Sequence, residues 1–476
     1  MENKRSLNLI DTIAIVSGSM IGSGVFIVAA DMTRVLGSPF WVLMCWVLSG
    51  LITLLAALSY GELAGMMPQA GGQFIYLKRA FGARTAFVYG WSVFTVIQTG
   101  VIAAVAVAFG RYLAVFFPLI DEQQVVLSLG AFVINRTQLV AVAMVLLLTY
   151  MNTRGIQSGK RIQRIFTSAK LLALLGLILT GLFFAVNSGY WKVNMAIPFT
   201  GSPVNSDAHN ASALSLATAM GVALIGSLFS SDAWNNVTFI AGEVKRPERN
   251  IFLGLLIGVL IVAVLYTLAN MAYFMLLPAG TEGATDIIGR GVAFAENDRV
   301  GSAALFPVLG SGSILVMAAL IVISTFGCNN GLILAGARLF SAMANEGLFF
   351  KSAAQLNHNQ VPAKAMWMQA VWAGVLCMSG SYGQLLDYCT FASLLFYIIT
   401  IAGLFVLRVK EPATPRPYKA IGYPVLPALY IVLAGAICVD LLVFKTRSVA
   451  YGLLIIAIGI PVFEYFKSKR DARTDP

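Results

Sequence analysis

Two short stretches concentrate the residues that could do chemistry in an otherwise apolar chain. The first, SGSMIGSGVFI, runs from Ser17 to Ile27, and six of its first eight residues are glycine or serine (Ser17, Gly18, Ser19, Gly22, Ser23, Gly24). The second, LFSSDAWNNVTFIAGEV, runs from Leu228 to Val244 and sets Ser230, Ser231, Asp232, Asn235 and Asn236 inside another apolar run. Glycine is about 1 kcal/mol worse than alanine in a helix interior, so each stretch predicts a helix that unwinds partway along. Unwinding frees backbone N–H and C=O groups that lipid cannot satisfy. The half-helix after a break presents its N-terminus, with partial positive charge and free donors, which suits a carboxylate. The half-helix before it ends in carbonyls, which suit an ammonium. Glycine lets a ligand approach the backbone closely. One break can therefore read the zwitterion of an α-amino acid without any charged side chain. Gly18 and Gly22 also form a GxxxG pattern, whose ordinary meaning is helix packing; the matched second break, with an acid in it, favours a binding site.

Three ionisable residues fall in apolar surroundings. Lys170 follows Arg164 by six residues, about 9 Å along a helix, and an intramembrane charge is a functional feature by default. The alternative is a long stem that snorkels to the membrane surface. Asp232 has three readings: an anionic partner for a cationic group, a proton carrier, or a cap on the second half-helix. Glu62, in YGELAGMMP, reads as an intracellular gate or loop anchor paired with an arginine, or as a side chain that reaches water. Trp234 reads as packing. His209 and His358 fall in loops, and the sequence offers no nucleophile–base set, phosphate loop or zinc spacing, so no catalytic residue, cofactor or metal is expected. NRT at Asn135 and NAS at Asn210 match the glycosylation sequon in expected outer loops.

These residues need a scaffold, and composition names it. Of 476 residues, 58% are hydrophobic and 11% charged, against roughly 25% charged in soluble domains. Apolar runs of about 20 residues recur to the end, each able to cross the hydrocarbon core. Their continuity favours an α-bundle over a barrel. The expected spans are 10–36, 39–66, 84–117, 137–153, 164–187, 212–241, 250–277, 302–345, 363–380, 385–408, 421–444 and 447–466. The third and eighth are too long for one perpendicular crossing and are expected to tilt or extend. No cleavable signal peptide is read at the start of the chain, and the tails are 1–9 and 467–476. Of the 32 lysines and arginines, 23 fall on the side of the tails and eight on the other, with Lys170 inside a span. That bias puts both termini in the cytoplasm and explains the net charge of +11 without nucleic acid. The two broken spans are five apart; an odd repeat inserts its second copy upside down. The five cysteines read as buried small hydrophobes.

These motifs resemble a known family. SGSMIGSGVFI resembles the first-span signature of the amino acid–polyamine–organocation superfamily. MPQAGGQFIYLKRAFG (Met67 to Gly82) is similar to its loop after the second span, and RIQRIFTSAKLLALLGLI and FGCNNGLILAGARLFSAMANEG resemble its L-type branch and single-chain bacterial relatives. The resemblance implies a LeuT-like fold of twelve transmembrane helices: two inverted five-helix repeats (10–187 and 212–408), with helices 1 and 6 broken, followed by two extra spans (421–466). It implies sodium-independent exchange of neutral amino acids by alternating access, in the plasma (inner) membrane. Backbone groups of Ser19, Met20, Ile21, Gly22, Ser23 and Gly24 would hold the substrate, with Phe229 as a gating aromatic and Ser230, Ser231 and Asp232 lining the second break. Lys170 would stand where sodium-coupled relatives hold a structural sodium, bridging first-span carbonyls to the hydroxyls of Ser324 or Thr325. Eukaryotic members pair with a heavy chain through a cysteine between spans three and four. That region has none here, so no disulfide-linked partner is expected. The competing readings are a proton-coupled symporter of an amino acid or amine, and a sensor that binds without transport. A channel is disfavoured because the breaks lack ring symmetry.

Overall fold

The structure is a computed structural model and describes residues 5–129, 132–184, 189–199, 215–379 and 382–471. His209 and Asn210 lie outside the described residues, as does the start of the expected sixth span. Helix α1 (Leu9–Met20) opens with a capping box in which Asn8 and Asp11 satisfy each other's backbone N–H groups. It stops at Ile21, whose backbone is extended, and α2 (Gly24–Leu36) resumes bent by 42°. Gly37, at φ 62°, ends α2 in the left-handed conformation that glycine adopts without a steric penalty. The long α3 (Pro39–Met66) follows, then α4 (Gln73–Phe81), which is set by the turn at Gly71 and Gly72. Next come α5 (Ala83–Ser92), a π-helical turn at Val93–Ile97, and α6 (Gln98–Leu113). An antiparallel hairpin of β1 (Val125–Leu129) and β2 (Phe132–Asn135) leads to α7 (Arg136–Thr153). Asn135 caps α7 in a second capping box, with Gln138, so the sequon asparagine has a structural role.

The remaining elements are α8 (Ile156–Phe184), α9 (Tyr190–Ala196), α10 (Leu216–Ser230), α11 (Asn236–Phe239), α12 (Pro247–Leu276), α13 (Ile287–Arg290), α14 (Val300–Leu309), α15 (Gly312–Asn345), α16 (Ala363–Ser379), α17 (Tyr382–Lys410), α18 (Val425–Phe444) and α19 (Thr446–Asp471). Among the described residues eight helices are long and apolar enough to cross a membrane, and the bent pair α1–α2 makes a ninth candidate. Leu216–Ser230 and Val300–Leu309 are shorter apolar helices. The chain is a polytopic all-α membrane protein. α18 shows why: Val425, Val432 and Val439 stand exposed along it, a cost only a lipid surrounding removes.

Two expected spans change form. The eighth, 302–345, is not one tilted helix but α14 and α15, separated at Gly310, whose φ of 55° turns the chain. The third absorbs its length in the π-helical turn and ends its helix at Leu113. The ion pairs fall into the two groups of basic residues that the charge bias separated. Lys78–Glu346, Arg79–Glu411, Arg84–Glu464, Arg164–Asp11, Arg338–Glu243 and the Glu62 cluster use the majority side. Arg34–Asp298, Arg111–Glu122 and Arg290–Glu296 use the other.

Candidate functional site

The first break is a cluster of carbonyls closed by buried donors. Lys170 reaches from α8, 1% exposed, and its ammonium donates to Gly18 O at 2.5 Å, Ile21 O at 2.7 Å and Ser324 O at 3.4 Å. The side chain does not snorkel. Ser324 Oγ shares its proton between Ile21 O (3.2 Å) and Gly22 O (3.0 Å). The expected bridge to a hydroxyl is therefore corrected: α15 offers the ammonium a carbonyl, and the Ser324 hydroxyl serves the same break directly. Thr325 takes no part, because its hydroxyl bonds Ile321 O and Val322 O in its own helix. Cys328 Sγ donates to Ser19 O at 3.0 Å.

The three glycines of the opening stretch do different work. A Cβ at Gly18 would fall 2.2 Å from Gln163 Nε2 and from Thr167 Oγ1 on α8. A Cβ at Gly24 would fall 2.2 Å from Ser230 Oγ and 3.2 Å from its Cα. Both positions are packing contacts. At Gly22 the nearest atom would be Cys328 Sγ at 3.4 Å, an ordinary contact. The N–H groups of Gly22 and Gly24 donate to no acceptor among the described residues. Ser19 Oγ is buried without a hydrogen-bond partner among the described residues.

The second break runs from Ser231 to Asn235. Ala233 sits at φ 65°, a left-handed backbone that costs a non-glycine residue about 1 kcal/mol or more. α11 has no side-chain cap; the Asp232 carboxylate instead accepts from two residues of α17, Tyr397 OH at 2.5 Å and Ser393 Oγ at 3.1 Å. Tyr397 also approaches Asn235 Oδ1 (3.3 Å), Asn235 donates to Gln73 Oε1 (3.1 Å), and Gln73 donates to Thr400 Oγ1 (2.9 Å). Trp234 packs edge-on to Tyr60 at 4.8 Å and lies 5.1 Å from Tyr397. Phe229 is buried at the end of α10, where Ser230 Oγ bonds back to Gly226 O. Ser231 and Asp232 border a cavity of about 20 Å³, and Asp232 also borders a second of similar size.

Residues missed by sequence reasoning join these parts. The Tyr266 hydroxyl on α12 lies 3.0 Å from Met20 O and 3.2 Å from Ser230 O, so one side chain touches the ends of both first half-helices. A tyrosine in an apolar run gives no sequence signal of that kind. Gln73 had one: it directly follows the paired glycines.

Two ends frame the site. At the majority-basic end, Glu62 is fully buried and accepts from Arg408 (3.0 and 2.6 Å), Arg416 (3.0 Å) and Ala420 N (2.7 Å). It anchors the α17–α18 loop and does not reach water. Arg338 meets Glu243 at 2.5 Å, both buried, while the N–H groups of Ser6 and Leu7 donate to Glu243 O. The Arg79 guanidinium, hydrogen-bonded to Glu411, holds that carboxyl below its usual range. At the other end a cavity of about 570 Å³ opens between α2, α6 and α10, bordered by Asp31, Arg34, Arg111, Asp298 and Arg299. The bundle is closed at the first end and hollow at the second.

The amino acid permease family profile matches residues 7–463. The chain belongs to the amino acid permease family. Membership makes this permease a membrane transporter rather than an enzyme. It is 29% identical over 441 residues to the mouse b(0,+)-type amino acid transporter 1, covering 91% of this chain and 83% of that protein. It is 28% identical over 465 residues to the mouse Asc-type amino acid transporter 1 (97% and 81%). It is also 28% identical over 466 residues to the human large neutral amino acids transporter small subunit 2 (97% and 80%). The residues matched by the family profile include both of the permease's breaks.

Proposed function

We propose that this permease exchanges neutral amino acids across the plasma (inner) membrane without sodium, by alternating access around the two breaks. The observation that carries the reading is the Lys170 ammonium held by Gly18 O, Ile21 O and Ser324 O. A fixed cation in that carbonyl cluster supplies the charge that a mobile monovalent ion would otherwise bring. The substrate carboxylate binds the N–H groups of Gly22 and Gly24 at the start of α2, and its amine takes carbonyl lone pairs at the ends of α1 and α10. Phe229 covers the site from the α10 side, with Ser19, Met20, Ile21, Ser23, Ser230, Ser231 and Asp232 around it. Residues 10–187 and 212–408 act as the two inverted repeats, and both termini lie in the cytoplasm. Glu62 holds the cytoplasmic end shut as part of an inner gate.

The names of the relatives support an amino acid as cargo. The free cysteines Cys45, Cys328, Cys377, Cys389 and Cys438 are the chain's full set and all are buried. Their burial supports a transporter that works without a disulfide-linked partner. A second reading, proton coupling, is favoured by Asp232, which is buried with hydroxyl donors and has no basic partner among the described residues. Radiolabelled uptake into proteoliposomes decides between them in sodium-free buffer. Exchange requires uptake only into vesicles preloaded with amino acids; uptake into empty vesicles driven by a proton gradient overturns it in favour of symport.

A further inference from the structure

A second cavity, of about 100 Å³, lies beside the large one, at the end of α15 remote from Arg338. Its wall includes Arg290, Glu296, Arg299, Ser302, Phe306 and Ser313. Ser302 and Ser313 are 6% and 0% exposed, and neither hydroxyl has a hydrogen-bond partner among the described residues. Leaving a buried hydroxyl unsatisfied is costly, so two on the wall of one cavity favour a polar occupant there. Ser302 stands in the first turn of α14 and Ser313 in the first turn of α15, where the helix end carries partial positive charge. Of the charged groups, Arg290 and Glu296 pair at 3.7 Å. Arg299 lies over the Tyr112 ring at 5.6 Å and pairs with no carboxylate among the described residues. A ring face attracts a cation without neutralising it.

We propose that this cavity binds a small monovalent anion, of chloride or short-carboxylate size. Two hydroxyl donors, two helix N-terminal turns and one guanidinium with no carboxylate partner among the described residues favour negative charge, and the one acid on this wall, Glu296, is already engaged. The volume equals that of about three waters, which admits a halide or formate. Arg299 also borders the large cavity, so a bound anion neutralises a positive charge on its wall; only the consequence for an entering zwitterion rests on the transport reading above.

The test is thermal unfolding of purified protein without substrate, so it does not depend on the transport reading. Chloride, bromide or formate is titrated against gluconate at constant ionic strength. A saturable rise of roughly 2 °C or more over gluconate, lost in the Ser302→Ala/Ser313→Ala double variant, is the expected result. A rise with formate alone assigns the site to carboxylates within the same proposal. Identical curves in all anions, or an unchanged rise in the double variant, overturn it. Should the double variant not fold, Arg299→Gln serves instead: it must lose the anion-dependent rise, and retention overturns the proposal.

Discussion

Glycines that look alike in the sequence separate by what a methyl group would strike. Gly24→Ala forces a Cβ against Ser230 Oγ at 2.2 Å and Cα at 3.2 Å, and overpacking of this kind costs about 1–3 kcal/mol. Its melting temperature should fall, with partial recovery in a Gly24→Ala/Ser230→Gly double variant. Gly22→Ala meets only Cys328 Sγ at 3.4 Å, so it should melt near the parent while substrate affinity falls, about tenfold for a hydrogen bond bent or lost at a charged group. Differential scanning fluorimetry and exchange kinetics on the two variants separate the roles; equal melting losses would contradict the division. The sequence announced a broken helix through the density of glycine and serine. It could not say which glycine packs, because that depends on Gln163, Thr167 and Ser230 arriving from other helices. The same limit explains Thr325: its neighbour Ser324 faces the break, and one residue along a helix turns a side chain by about 100°.

At the scale of elements, the breaks are held by side chains from intact helices. Lys170 on α8, Ser324 and Cys328 on α15 and Tyr266 on α12 all donate to carbonyls of α1 or its break. Asp232 is tied to α17 in the same manner. The helix-wide apolar runs were legible in the sequence because hydropathy needs no partner. The π-helical turn at Val93–Ile97 and the division of 302–345 at Gly310 were not, since both answer to neighbours and to the length the bundle allows. Glu62 binds α3 to the end of α17 through Arg408 and to the α17–α18 loop through Arg416. Glu62→Gln leaves Arg408 and Arg416 with less than a full counter-charge, and breaking a buried pair costs about 3 kcal/mol. The variant should melt lower and open the end where Glu62 sits more often. A thiol probe at Ala64→Cys, buried one helical turn along α3 from Tyr60, would then label faster from that end; an unchanged rate and melting temperature would remove Glu62 from the proposed gate.

For the whole molecule, charge and cavity agree on a direction. The end rich in basic residues is sealed by ion pairs and by residues 6 and 7 against Glu243, while the opposite end holds the cavity of about 570 Å³. If the basic end is cytoplasmic, the structure faces outward. The five native cysteines are buried, which leaves a quiet background for topology mapping. In intact cells an impermeant thiol reagent should label Thr281→Cys and spare His358→Cys; the reverse pattern would invert the orientation.

Lys170 carries the central claim, that a fixed ammonium rather than a mobile ion completes the first break. The direct measurement is homoexchange by parent and Lys170→Ala protein in loaded proteoliposomes, in matched sodium-free and sodium-containing buffers, with unfolding curves for both. The account predicts parent exchange that is indifferent to sodium, and at least a tenfold loss in a Lys170→Ala protein that still unfolds cooperatively. Normal flux through a well-folded Lys170→Ala protein, or parent exchange that requires sodium, would contradict it.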